Sequence, residues 1–273
     1  MRAARSSRVE TEGFSSTRSN DGRTLAILGF HKIGEPPPGG WETWFFIAEA
    51  TFAGQLSYLR DNDWQVIDVE TFIRGLTAPE TLPERAALLT FDDGYRSMRT
   101  VALPWLLRFG YPAVLFVPTD YIGGRNTFDA AEPEEALCHW DDLRELERQG
   151  ISVQSHGASH RPFSGLGLAE QEEELRRSKA TLEAGLGKRV EAFSYPYGDD
   201  GVSSYPYRHD GASSQVLRKV REALKRAGYA AACLYGGDPI RLPADEPYRL
   251  ARIAIGPDTD LRAELWCGGP VGS

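Results

Sequence analysis

The sequence predicts an α/β fold, a (β/α) barrel of seven to eight parallel strands. Three observations predict it. Apolar runs of strand length alternate with amphipathic helical patterns along nearly the whole chain. The strand runs are near-continuous rather than apolar at every second residue, as strands covered by helices must be. The alternation repeats seven or eight times with no linker in the middle and no internal sequence repeat. That many units fit a closed sheet better than an open one.

Residues 25–30 (LAILGF) form the first predicted strand, and residues 51–59 carry apolar side chains at helical spacing. Residues 64–69 are the second strand, 86–91 (AALLTF) the third and 113–117 (AVLFV) the fourth. Residues 140–149 read as a helix. Asp141 and Asp142 suit its first turn, where the helix dipole favours acids, and Gly150 ends it. Residues 151–154 are the fifth strand. Residues 168–186 are a long helix, acidic early and basic later, with Gly185 and Gly187 at its end. Residues 190–195 make the sixth strand, 216–227 a helix, and 229–234 and 250–255 the last strands. Two insertions, 119–138 and 198–214, follow strands, so a barrel places both on the face where active sites form.

At 273 residues, with 41% hydrophobic and 26% charged side chains, the chain is able to bury a core without a staple. A net charge of −8 argues against nucleic acid or another polyanion as partner. Cys138, Cys233 and Cys267 are widely spaced and odd in number, which fits reduced structural thiols. No run approaches the roughly 18 apolar residues of a membrane span. Residues 1–22 are rich in Arg and Ser and lack the apolar stretch of a secretory signal. They are expected to be a disordered leader to a single domain over residues 23–273, and the cytoplasm is the expected location.

The chemistry concentrates at strand ends. Thr90-Phe91-Asp92-Asp93-Gly94-Tyr95 closes an apolar strand with two adjacent carboxylates and a glycine turn. Two neighbouring acids are costly to bury, because repulsion and desolvation both disfavour their charged forms. A metal relieves that cost for one and leaves the other as a base. An Asp-Gly pair in a solvated turn is the competing reading. Ser155-His156-Gly157-Ala158-Ser159-His160 follows another strand, and His-x3-His is a spacing at which one helical turn or a tight loop aims both imidazoles at one ion. Two histidines and an aspartate leave positions open for water and substrate, as a catalytic site needs.

TFDDGY, SHGASH and FSYPYG, in that order, resemble the first three motifs of the polysaccharide deacetylases, carbohydrate esterase family four. The likeness runs from about residue 25 to residue 255. It implies an irregular (β/α) barrel that uses one divalent ion, usually Zn²⁺, to hydrolyse acetyl groups from sugars. By the same resemblance Asp93, His156 and His160 are metal ligands and Asp92 is the base. Pro196 and Tyr197 wall the substrate groove, with the Tyr197 N–H facing the oxyanion, and Tyr95 is expected beside the substrate. A fixed N–H next to a Lewis acid suits the charge that develops in acyl transfer.

Two departures from the family pattern stand out. Ser194 occupies the place of an arginine that normally orients the base, and no histidine follows His209 to act as the usual general acid. Arg252, in the last strand, is the expected replacement for that arginine, within reach of Asp92. An exposed arginine is its competing reading. His31, at the end of the first strand, is the first candidate for the acid and His209 the second; a rim histidine held by a neighbour is the alternative. Tyr121, Phe128, Tyr205 and Tyr207 either form a sugar platform or pin the insertions to the barrel. The expected partner is an acetylated sugar or glycan. A metal-dependent amidohydrolase acting on a non-sugar amide, and a carbohydrate-binding protein without turnover, remain the alternatives.

Overall fold

The computed structural model describes residues 23–201 and 213–265. The expected leader, Tyr205, Tyr207 and His209 of the second insertion, and Cys267 lie outside the described residues. The chain opens with β1 (Thr24–Phe30), the short strands β2 (Lys32–Ile33) and β3 (Phe46–Ile47), and α1 (Glu49–Asp61). β4 (Gln65–Val66) leads into α2 (Val69–Thr77), and β5 (Arg85–Phe91) into a π-helical turn (Met98–Ala102) and α3 (Leu103–Phe109). Then follow β6 (Ala113–Val117), α4 (Trp140–Arg148), β7 (Ile151–Ser155), α5 (Leu168–Leu186) and β8 (Ala192–Ser194). The last elements are α6 (Ser213–Ala227), β9 (Ala231–Cys233), β10 (Ile240–Arg241), β11 (Ile253–Ala254) and α7 (Leu261–Glu264).

The sheet runs β1-β5-β6-β7-β8-β9 with every neighbour parallel. It curls back on itself through the segment around β11. Leu250 bridges Cys233 of β9, and Ile253 and Ala254 pair with Leu28 and Gly29 of β1. Seven parallel strands therefore form the ring (β1, β5, β6, β7, β8, β9, β11). β4 is an eighth, pairing with the first half of β5. The closure is irregular: the last segment meets β9 through the single bridge at Leu250, and β10 pairs antiparallel with the first residues of β1, Thr24 with Arg241 and Leu25 with Ile240.

Alternation along each strand sorts the core into two layers. Ala26, Leu28 and Phe30, Ala87, Leu89 and Phe91, and Ile151 and Val153 pack outward against helical residues such as Leu56, Leu106, Leu143 and Leu175. Leu25, Ile27, Ala86, Leu88, Val114, Phe116, Ala192, Cys233 and Leu250 fill the barrel, with Phe72 of α2 and Leu82 joining them. A filled lumen leaves only its C-terminal rim for chemistry.

The strand expected over 64–69 is shorter than the sequence suggests. Only Gln65–Val66 pairs, because the Asp68 carboxylate accepts the Thr71 N–H at 2.7 Å and caps α2. Val69, Phe72, Ile73 and Leu76 then carry helical rather than strand spacing. Among the described residues no helix is long and apolar enough to cross a membrane.

Candidate active site and metal centre

The inward-facing register of each strand continues to the rim and delivers the polar residues there. On β1 the inward positions Leu25 and Ile27 lead to His31; on β5, Ala86 and Leu88 lead to Thr90 and Asp92. Gln154 leads to His156, Ala192 to Ser194, and Leu250 to Arg252. Asp93 is out of register and would face the helices. Its φ of +70°, followed by Gly94 at +75°, turns it back into the rim. Aspartate is among the few residues that tolerate this left-handed conformation.

Asp93, His156 and His160 are all buried, and one ligand atom from each lies within 4.8 Å of the others. Asp93 Oδ1 stands 3.3 Å from His156 Nε2 and 3.0 Å from His160 Nε2. His156 Nδ1 sits 2.7 Å from the Ser194 carbonyl, which only accepts, so Nδ1 carries a proton and Nε2 presents its lone pair when the ring is neutral. Two imidazole nitrogens therefore converge on a carboxylate oxygen that makes no well-aligned hydrogen bond. That donor set fits a divalent ion with open coordination positions. Burial pushes the Asp93 carboxyl up, but the His160 and His156 rings beside it hold it well below the usual carboxylate range. The His156–His160 segment is a tight loop, not a helical turn, with Gly157 at φ +76° and His160 at +56°.

Asp92 is held from the other side. Arg252 Nη1 donates to Asp92 Oδ1 at 2.7 Å and Arg252 Nη2 to Oδ2 at 2.6 Å, a bidentate pair in which both residues are buried. The same guanidinium donates to Thr90 Oγ1 at 3.1 Å, to Ser194 Oγ at 2.8 Å and to the Leu234 carbonyl at 2.6 Å. The small Ser194 leaves room for that fork. Burial raises the Asp92 pKa; Arg252, with His156 behind it, more than offsets this and holds the carboxyl below its ordinary value. His156 Nε2 lies 4.0 Å from Asp92 Oδ2, so the two acids flank one histidine.

A cavity of about 440 Å³ opens over these groups. His31 lines it, with its ring 4.5 Å from Phe45 and edge-on to Tyr235 at 5.0 Å. Its Nδ1 is buried without a hydrogen-bond partner. Burial lowers the His31 pKa, and the Asp93 and Asp92 carboxylates restore only part of the loss. Tyr197 adopts φ +59° and projects 49% exposed into the mouth, its hydroxyl donating to the Phe128 carbonyl at 3.3 Å. Its N–H has no acceptor among the described residues. Gly198 is required beside it, at φ +67°, since a Cβ there would meet the Tyr235 amide nitrogen at 2.8 Å. Tyr95 is buried on the cavity wall, and Asn126 Nδ2 donates to its hydroxyl at 3.2 Å. Pro196, expected on the groove wall, is buried next to Gly157 and is not among the residues that line the cavity.

Sequence reasoning missed most of the walls. Trp44, Phe45 and Tyr235 supply the aromatic lining, and the cluster Trp41, Trp44, Phe45 after a Pro-Gly run was the signal for two of them. Lys32, buried, pairs with Glu132 at 2.7 Å and Glu135 at 3.3 Å, while Thr43 Oγ1 donates to Glu132 at 2.7 Å. These bonds tie the loops around residues 43 and 132 into one wall. Phe128 stacks on His160 at 4.0 Å and Tyr121 packs edge-on to Phe128, so these two insertion aromatics brace a candidate ligand.

The chain is similar to several known proteins. The polysaccharide deacetylase family model matches residues 80–232, a span that contains the acid pair, the histidine pair and the Tyr197 turn. The structure superposes on IcaB from Ammonifex degensii with a TM-score of 0.71 at 23% identity, covering 89% of this chain and 96% of that one. It superposes on the Streptococcus pyogenes deacetylase PplD in complex with acetate at 0.70 and 22% identity, covering 89% and 97%. At such identity the likeness shows the fold alone. The YxkH protein of Bacillus subtilis (strain 168) is 26% identical over 174 residues, 64% of this chain and 57% of that one. The poly-β-1,6-N-acetyl-D-glucosamine N-deacetylase of Escherichia coli (strain K12) is 32% identical over 108 residues, 37% of this chain and 16% of that one. The chain thus matches only part of the length of each of these relatives. With the family model spanning more than half of its residues, the chain belongs to the polysaccharide deacetylase family.

Proposed function

We propose that this chain is a metal-dependent deacetylase that hydrolyses the acetyl group of an N-acetylated, or O-acetylated, sugar in a glycan. The observation that carries the reading is the pair of sites at the rim. Three convergent donors, Asp93, His156 and His160, stand beside a second buried carboxylate, Asp92, which a guanidinium holds ionised. A binding protein without turnover has no use for a base so close to a metal site. The aromatic walls from Trp44, Phe45, Tyr197 and Tyr235 favour a sugar over a small non-sugar amide, because a ring face stacks on the apolar face of a pyranose. The relatives named as poly-β-1,6-N-acetyl-D-glucosamine N-deacetylases support an acetamido sugar.

Asp93, His156 and His160 would hold a divalent ion, zinc by ligand type, which when bound would supply Lewis acidity and make water more acidic. Asp92 accepts the proton of the attacking water at a carboxylate oxygen. Arg252 keeps that carboxylate charged and fixes its plane. The Tyr197 N–H donates to the oxygen on which charge develops, and the Gly198 turn holds that donor in place without reorganisation. His31 lines the same cavity, and burial lowers its pKa. The proton that Asp92 takes from the water ends on the leaving amine or alcohol as its bond to the acyl carbon breaks, and His31 is the side chain nominated to pass it on. The test is acetate release from N-acetylglucosamine oligomers, O-acetylated glycans and simple acetamides, with zinc and with chelator. Zinc-dependent release from the glycans alone is the expected result. Release from simple acetamides at equal efficiency would replace the sugar reading with a general amidohydrolase.

A further inference from the structure

We infer that Glu174 is a positioning residue for the metal centre, holding from α5 the loop that carries both histidine ligands. This rests on the reading of Asp93, His156 and His160 as ligands. The His156–His160 loop is held on one flank by backbone bonds alone: the His156 N–H to the Val117 carbonyl at 3.1 Å, and the Gly157 and Ala158 carbonyls accepting from Thr119 and Asp120 at 3.1 and 3.0 Å. On the other flank a single side chain takes three bonds. Glu174 Oε2 accepts the Ala158 N–H at 2.7 Å and the Ser159 N–H at 2.8 Å, and Glu174 Oε1 accepts the Ser159 hydroxyl at 2.8 Å.

The placement is tight. Glu174 is 7% exposed, and a Cβ on Gly157 would stand 3.2 Å from its Oε2, so carboxylate and loop leave no space between them. One turn further along α5, Ser178 hydrogen-bonds Ser155 Oγ at 2.8 Å, and Ser155 Oγ accepts the Gly157 N–H at 3.2 Å. Two residues on one face of α5 therefore grip the loop at consecutive points. Arg177 lies 3.7 Å from Glu174 Oε1 and also pairs with Asp120, which offsets the buried charge. The loop needs such a hold because Gly157 and His160 both adopt positive φ, and His160 does so without the freedom of glycine. Glu174 touches neither metal nor substrate; it sets where the two imidazoles point.

The experiment measures zinc affinity by chelator competition, with zinc alone as the ligand, at a temperature where far-UV circular dichroism shows each variant folded. Glu174→Ala and Glu174→Asp are expected to weaken zinc binding about 10–100-fold, the usual effect of removing a group that orients a ligand. Glu174→Gln keeps an acceptor oxygen for the two N–H groups and is expected to stay within about threefold of the parent. If Glu174→Ala does not fold, Glu174→Asp carries the test. A folded Ala or Asp variant with parental affinity overturns the inference, since a merely structural residue would lower the unfolding midpoint and leave zinc affinity alone. A Gln variant as weak as Ala also overturns it, because charge rather than loop geometry would then be at work. A parent protein that binds no zinc refutes the ligand reading instead, and is seen in the control.

Discussion

Replacing Arg252 by methionine removes the guanidinium that compensates Asp92 while nearly preserving volume. The structure sets the size of the effect. Arg252 and Asp92 are 0% and 2% exposed, and both carboxylate oxygens take a guanidinium hydrogen. Breaking such a pair from one side strands a buried charge and costs about 3–5 kcal/mol. The pH dependence carries a sharper signature. In the parent, the folded Asp92 pKa lies below its ordinary value, so its contribution to stability is present above that ordinary value and lost as pH falls through the folded one. Without Arg252, burial dominates and the folded pKa rises above the unfolded value. Taking up a proton then favours the folded state, so the deficit of the variant shrinks as pH is lowered from about 7 towards about 5. Denaturant unfolding of metal-stripped protein, followed by tryptophan fluorescence, measures this directly. Adding Asp92→Asn to Arg252→Met should return most of the lost free energy and remove the difference in pH slope. An Arg252→Met variant within about 1 kcal/mol of the parent at neutral pH, with the same slope, would show that the guanidinium does not hold Asp92 ionised.

Three further outcomes are expected. Asp93→Asn should lose zinc, whereas Asp92→Asn should keep it and lose about 10²–10⁴-fold in turnover; metal analysis beside acetate release reads both, and swapped phenotypes would reverse the two roles. Cys138 and Cys233 are buried, and burial pushes each thiol up to about 12, so peptide mapping should find neither alkylated in native protein near pH 8 and both alkylated after unfolding. Trp44 lines the cavity at 40% exposure with its indole anchored on Asp258 at 2.8 Å, so Trp44→Ala should raise KM for a glycan by about tenfold with little change in kcat. A kcat loss at unchanged KM would take Trp44 out of the substrate wall.

Some of this site was legible in the sequence because its chemistry is local. An acid pair ending the AALLTF strand and a histidine pair after the next-but-one strand both lie on strands whose apolar runs are unmistakable, and alternation carries their register to the rim. The same parity argument reaches Ser194 and Arg252 across the ring. α5 was readable to its last residue because Gly187 stands in the left-handed conformation that ends it. Other parts depend on long-range packing. α2 begins inside a β-branched run, and only the Asp68 cap distinguishes it from the end of a strand. The sequence left Tyr121 and Phe128 open between a sugar platform and a brace for the insertions; Phe128 packs on His160 with Tyr121 against it, while an aromatic wall of the cavity comes from a loop far earlier in the chain, around Trp44. Glu174 is one of several acids in the early part of the helix expected over 168–186. Nothing short of the fold distinguishes it from its exposed neighbours Glu172 and Glu173.

If Asp93, His156 and His160 hold the catalytic ion, turnover depends on one divalent ion per chain. The most direct measurement is acetate release from an N-acetylglucosamine oligomer while metal-stripped protein is titrated with zinc. No release without metal is expected, then a linear rise and a break at about one ion per chain that His156→Ala abolishes. Release from stripped protein at the full rate, or a titration that His156→Ala leaves unchanged, would contradict it.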